Sequence, residues 1–414
     1  MCAARVLTTI RRAEYAELVV LFLIQGAALA MWFVPLSAVL DAHDLGRIKP
    51  LAFATSALAS FISPLVFGAM ADRHASPVKV LRGLAVATAV AMVLASLAIR
   101  NGWNAWVVLA LIQVHALCSS PTWSLSSTII FARLEDAKME FGPIRAMATI
   151  GWAGGCLLVS ALGADRSTLA GLTGAAIWVG VAGFTYFLPD WETPKSAENL
   201  TWAQRFGLDA LTLLRHRDHR VVFLTTVLFT IPLAGFYPYA PAHLHDLGFV
   251  RVSAWLTLGQ LSEIAAMLAL GRLWLRWRLK WIFAGGLGFG VLRFALSAFD
   301  TPAGLIAGVV LHGCSFTLVL VTAQIYLDQR IEPAWRARGQ ALMSLMNGGV
   351  GNLAGYLGTG GWYAFCSEAG GTRWPLFWGG LALAVAGVLG LFLATYRGIG
   401  TGWSRASNPP APTG

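Results

Sequence analysis

"PDWETPKSAENLTWAQRFGLDALTLLRHRDHR", Pro189 to Arg220, is the longest polar connection in a chain that is otherwise oily, and its place in the chain decides the fold. The chain has 414 residues, of which 57% are hydrophobic and 12% charged, where a soluble globular domain carries about 25% charged residues. Its mean hydropathy is +0.65. This is the composition of an integral membrane protein. A hydrocarbon core about 30 Å thick takes roughly 20 apolar residues per helix. Stretches of that length fall at 15–40, 50–71, 78–99, 104–131, 143–163 and 168–188 before the connection, and at 220–243, 252–275, 280–299, 302–327, 338–363 and 374–396 after it.

The expected fold is therefore all-α, with about twelve membrane helices in two bundles of six. Residues 1–189 form the N-terminal bundle and 220–397 the C-terminal bundle. Residues 190–219 are a cytoplasmic linker, in which Trp202 to Leu214 reads as an amphipathic helix that lays Phe206, Leu208 and Leu211 on lipid. Residues 398–414 are a disordered tail, ending in the Pro-rich "SRASNPPAPTG", Ser404 to Gly414.

Lys and Arg set the orientation. Arg5, Arg11 and Arg12 precede the first span, and every second connection after it is basic, from Arg73, Lys79 and Arg82 to Arg330, Arg336 and Arg338. Alternate connections hold few positive charges, such as Asp165-Arg166 and Asp300. The positive-inside rule then places both termini in the cytoplasm. The net charge of +10 collects in these loops beside anionic lipid, so it does not imply nucleic acid. Arg11-Arg12, Leu18 to Ile24 and "AALA" at 27–30 resemble a signal peptide, but the apolar run continues through Trp32 to Leu36, which favours an uncleaved first helix. The five cysteines, Cys2, Cys118, Cys156, Cys314 and Cys366, are odd in number and lie mostly within spans, so they form no disulfide framework.

A charged side chain at the bilayer centre costs about 2.5 to 3.5 kcal/mol on insertion scales, so each one reads as functional by default. In span five, Arg145, Thr149 and Trp152 fall at i, i+4 and i+7, one helical stripe that offers a guanidinium, a hydroxyl and an aromatic plate to a polar planar ligand. The competing reading is that Arg145 snorkels to the cytoplasm. Span eight, "WLTLGQLSEIAAML", carries Thr257, Gln260 and Glu263 at i, i+3 and i+6 on one flank. A desolvated carboxyl is able to hold a proton at neutral pH; the plainer alternative is a pair that glues helices together. Arg293 in span nine is a candidate countercharge for Glu263, and such a pair would keep the carboxylate ionised. Span ten offers His312, Thr322, Gln324 and Tyr326, and span seven Tyr237, Tyr239 and His243. Span four has His115 and, around Pro121, a run of hydroxyls.

The glycine runs at 285–290 and 348–361 have no Lys-Ser/Thr to complete a phosphate loop and read as close helix contacts. His-Glu-x-x-His and zinc-spaced cysteines are absent, so no metal, cofactor or intramembrane enzyme is expected.

The six-plus-six layout resembles the major facilitator superfamily. So does "GAMADRHASPVKVLRG", in which Gly68, Asp72 and Arg73 match the superfamily's cytoplasmic gating loop while Ser76-Pro77-Val78 departs from it. Within that superfamily, "GQLSEI", "LHG...VTAQIYLD", "IR..ATIGW", "SPTWSLSST" and "IQGAALAMW" are similar to the bacterial nucleoside:proton symporters. The resemblance implies a nucleoside held by Arg145, Thr149, Trp152, Gln260 and Glu263; read from the spans themselves, Tyr237 and Gln324 are further candidate contacts, and Glu263 with Arg293 a candidate proton carrier or ion pair. The resemblance also implies protons as the coupled ion, a monomer embedded in lipid, and the bacterial inner membrane. Three spans depart from the family pattern: span seven has Tyr237, Tyr239 and His243 for a Gln and an Asn, in span ten Thr317 replaces an acidic residue, and in span four Ser126-Ser127 replaces Asn-Ser. The alternatives are facilitated diffusion, a sugar or small organic anion as cargo, or a non-transporting membrane sensor.

Overall fold

A segment in hydrocarbon has no water to bond its N–H and C=O groups, so it coils and satisfies them itself. The computed structural model describes residues 15–62, 76–135, 137–189, 201, 206, 208–368 and 371–398. In the first half of the chain lie α1 (Ala16–Phe33), α2 (Leu36–Ala42), α3 (Lys49–Ser60), α4 (Pro77–Arg100), α5 (Ala105–Phe131), α6 (Ala137–Ala161) and α7 (Leu169–Phe184). In the second lie α8 (Arg217–Leu233), α9 (Phe236–Asp246), α10 (Val252–Arg276), α11 (Leu279–Ser297), α12 (Pro302–Phe316), α13 (Thr322–Arg330), α14 (Pro333–Ser344), α15 (Asn352–Cys366) and α16 (Trp374–Thr395). A two-residue hairpin, β1 (Ser367–Glu368) with antiparallel β2 (Gly371–Thr372), joins α15 to α16.

Local chemistry sets where these helices start and break. Ser76, Asn104 and Thr301 accept from the first-turn N–H groups of α4, α5 and α12, the usual service of a side-chain oxygen at a helix start. Pro35 stands between α1 and α2, and Gly235 between α8 and α9, each breaking one long apolar rod. Two π-helical turns, Thr317–Val321 and Leu345–Gly351, join α12 to α13 and α14 to α15. Each π turn carries a wider loop than the α-helix and shifts the facing of every later residue.

Among the described residues, nine helical stretches are long and apolar enough to cross a membrane. They coincide with nine of the twelve expected spans, and the other three differ for identifiable reasons. Only part of span two is described, as α3. Span six contains the 16-residue α7. Span eleven, α14 with α15, carries the polar, glycine-rich "NGGVGN", Asn347 to Asn352, at its centre, which lowers its hydropathy. In the linker, the expected amphipathic α-helix is instead a 3-10 stretch over Leu208–Arg215 where it is described, with Leu208 and Leu211 exposed and Ala210 buried. The gating-loop residues Gly68, Asp72 and Arg73 and the tail beyond residue 398 lie outside the described residues.

In the first half α1 packs on α6 and α7, and α4 on α5 and α7; in the second α11 packs on α12 and α16, and α10 on α12. Small residues permit the tightest contacts. A Cβ on Gly151 would collide with the Leu23 carbonyl of α1, and one on Gly155 would lie 2.5 Å from the Ala27 oxygen. Between the halves α6 meets α10 and α3 meets α15. Among the described residues, several hydrogen bonds that join the halves lie at the helix ends away from Ala16, for example Ser37 Oγ to the Pro238 carbonyl.

The glycine contact makes a direct prediction. Gly151→Val forces α6 off α1 and lowers stability by about 1–3 kcal/mol, the cost of overpacking, read as a fall in thermal midpoint of the detergent-solubilised chain. Gly154→Val, where nothing lies within 4 Å of the added carbon, leaves the midpoint near the parent value.

Candidate functional site

Between the halves lies a cavity of about 600 Å³, bounded by α1, α3, α5 and α6 on one side and by α8, α9, α10, α12 and α15 on the other. Small-molecule sites run from about 300 to 1,000 Å³. The α6 stripe forms much of the first wall, with Arg145, Thr149 and Trp152 all on the cavity surface. The Arg145 guanidinium rests 4.4 Å from the ring centre of Trp123 on α5, and Phe22 stacks on that ring at 5.3 Å. The arginine is therefore held by a cation–π contact and does not snorkel away from the cavity.

The opposing wall carries Gln260 and Glu263 of α10 and Tyr237 of α9. Gln260 Nε2 donates to the Tyr237 hydroxyl at 3.2 Å. The Tyr237 ring meets Phe33 edge-on at 5.2 Å and Trp152 at 6.3 Å, so an aromatic group joins the two walls. Gln260 Oε1 and Trp152 Nε1 are buried without hydrogen-bond partners, as is Asn347 Oδ1 on the π turn before α15. Buried polar atoms are nearly always bonded, so each orphan needs a reason; a polar ligand in this cavity supplies one.

The electrostatic partner of Glu263 is Arg145, from the other half of the chain. The expected pairing of Glu263 with Arg293 is not what the structure holds. Arg293 is 1% exposed; it lies 2.5 Å from His312 Nδ1 on α12 and stands over the rings of Phe236 and Phe294 at 4.4 and 4.6 Å. Glycine packing explains the change of partner. Gly313 has no Cβ, so α12 closes directly onto the backbone of α10 at Gly259 and Glu263. Arg293, reaching in from α11, finds the α12 imidazole.

Gln324 is a second correction. It lies outside the cavity wall, exposed, with its backbone carbonyl accepting from Gln340 Nε2 at 2.7 Å. The sequence reading carried one helical phase through span ten, and the π turn at Thr317–Val321 breaks that phase. Thr317 opens the turn, buried, with its hydroxyl unpartnered. Tyr239 and His243 also lie away from the cavity: Tyr239 stacks on Tyr363, while His243 bonds Asp300 at 2.7 Å and accepts from Trp378 Nε1. Sequence reasoning assigned no role to Trp123, Asn347, Asn352 or Tyr356, which line the cavity. The signal for the two asparagines is "NGGVGN", Asn347 to Asn352, of which the part from Gly348 on reads above as glycine packing.

Residues 13–398 match the Nucleoside H+ symporter family. The chain belongs to that family. It is 34% identical to the putative nucleoside transporter YegT of Escherichia coli (strain K12), over 88% of this chain and 90% of that one. The nucleoside permease NupG of the same organism is 27% identical over 64% of this chain and 68% of the permease. The NupG crystal structure superposes with a TM-score of 0.83, covering 93% of this chain and 100% of NupG at 23% identity. This family member is a multi-pass membrane transporter, and its central cavity lies where its two halves meet.

If the cavity is wet, cysteine chemistry will report it. Thr149→Cys reacts readily with a water-soluble maleimide, whereas Val159→Cys, at a position 0% exposed on the same helix, stays unlabelled; equal rates would mean that the cavity is closed to water.

Proposed function

We propose that the chain is a proton-coupled importer of nucleosides in the bacterial inner membrane, working by alternating access of two six-helix bundles, residues 1–189 and 220–397, with both termini and the 190–219 linker in the cytoplasm. One observation carries this reading. In a member of the nucleoside symporter family, Arg145, Thr149 and Trp152 of one half face Tyr237, Gln260 and Glu263 of the other across a single cavity. A ligand that engages both walls has reason to draw the halves together, and that is the work of a rocking transporter.

A nucleoside matches the chemistry of both walls. Its flat base suits the face of Trp152, whose indole N–H lacks a partner. Its ribose hydroxyls both donate and accept, as the Gln260 amide and the Glu263 carboxyl require. Arg145, held on Trp123, offers a fixed fork of donors to base carbonyls.

Glu263 is the proposed proton carrier. No standing pair with Arg293 holds it ionised, and Arg145 lies across the cavity as a countercharge from the other half. Protonation would remove the attraction to Arg145 and let substrate take its place; after release of both, the ionised carboxylate and Arg145 attract again and favour the return. The inter-half hydrogen bonds at the ends away from Ala16 fit a state open toward the cytoplasm. In the proposed cycle Gly68, Asp72 and Arg73 belong to the loop that fastens the cytoplasmic side when the carrier turns outward.

Uptake of labelled uridine and adenosine into vesicles tests the reading. An inward proton gradient should drive accumulation above equilibrium; equilibration without accumulation would mean facilitated diffusion, and no entry of any nucleoside would remove the proposal. Glu263→Gln should abolish gradient-driven accumulation while nucleoside exchange across the membrane continues. Gln260→Ala, which strips a wall group and leaves the Tyr237 hydroxyl unpaired, should weaken nucleoside binding on the order of tenfold, measured by calorimetry. Gln324→Ala should leave binding unchanged.

A further inference from the structure

The connection between α6 and α7 was notable in the sequence only for its scarcity of charge. In the structure its Asp165 is 8% exposed and bonded into the other half of the chain. Asp165 Oδ1 accepts from the backbone N–H of Ser253 at 2.6 Å and from Ser160 Oγ at 2.9 Å. Ser160 Oγ in turn accepts from the N–H of Ala254 at 2.9 Å. Ser253 and Ala254 are the second and third residues of α10.

Those N–H groups are normally served by a helix's own capping side chain. Here α10 begins after Arg251, which caps nothing through its side chain and sits in the left-handed region at φ 57°. The cap comes from the other half of the protein. A carboxylate on backbone N–H groups is a strong, charge-assisted contact, and its negative charge also matches the positive end of the α10 dipole. Next to it Arg166 reaches His245 of α9.

We propose that Asp165, with Ser160, is a latch that closes the side of the transporter away from the N-terminus by capping α10 in trans. The inference rests on the alternating-access reading. When the halves part on this side, α10 loses the cap on two N–H groups at once, and both Asp165 and the helix start pass into water. The latch also bears on the site, because α10 carries Gln260 seven residues beyond Ser253, about 10 Å along the helix. Seating the cap therefore fixes the height at which Gln260 and Glu263 meet the α6 stripe.

The protein carries its own reporter. Cys156 lies one turn before Ser160 on α6, is 0% exposed, and belongs to the buried apolar cluster built mainly from the other half. Full-length protein in oriented vesicles is treated with a membrane-impermeant maleimide from each side in turn, and Cys156 modification is quantified by peptide mass spectrometry. The latch predicts that Asp165→Ala and Ser160→Ala each raise labelling from the side opposite the N-terminus, on the order of tenfold, the size expected from loss of one charge-assisted hydrogen bond. Ser160→Ala is small enough to fold where Asp165→Ala does not. Unchanged labelling in a folded variant, or an increase equal from both sides, would overturn the latch. No nucleoside enters the assay, so a failure of the cargo assignment leaves the result interpretable, and nucleoside uptake by the parent chain tests that assignment separately.

Discussion

Hydrocarbon offers no hydrogen bonds, and the rest of this structure depends on that constraint. Every backbone group in a span must find a partner inside the protein, which makes helices compulsory and polar side chains costly. Several of the polar groups that persist lie where the two halves meet: Arg145 on Trp123, Gln260 on Tyr237, Asp165 on the start of α10. A polar seam between oily halves is a surface that water or a polar ligand can enter without dissolving either half.

Hydropathy made most of the architecture legible. Nine spans stand out because each holds an uninterrupted apolar run. The three that do not lack that simplicity for separate reasons: α7 is short, α3 is the described part of its span, and Asn347, Asn352 and the glycines between them interrupt the apolar run of the eleventh. Composition reports the solvent of a segment; it does not report whether its hydrogen bonds run to the fourth or the fifth residue back.

The cavity walls show the same boundary. On α6 and α10 the α-helical period holds, so counting in steps of three and four brought Arg145, Thr149, Trp152, Gln260 and Glu263 onto the faces where the structure has them. Across the π turn of span ten the counting fails, and Gln324 faces outward. Arg293 was misread for another reason. Its partner depends on how closely α12 approaches α10, and Gly313 sets that distance through the absence of a side chain. A missing atom leaves no periodic signal.

The glycines of α6 carry a consequence for the site. Gly151 and Gly155 seat this helix backbone against backbone on α1, and such a joint has no flexible side chains to absorb a slide. The wall bearing Arg145, Thr149 and Trp152 is therefore set directly against α1. Among the described residues both π turns lie in the facing half, where the hydrogen-bond ladder departs from its regular spacing. Through Leu320 and Asn347 those irregular turns reach the cavity itself, so the site is bounded by two unlike surfaces, one of regular close-packed helix and one whose helices change phase at the wall.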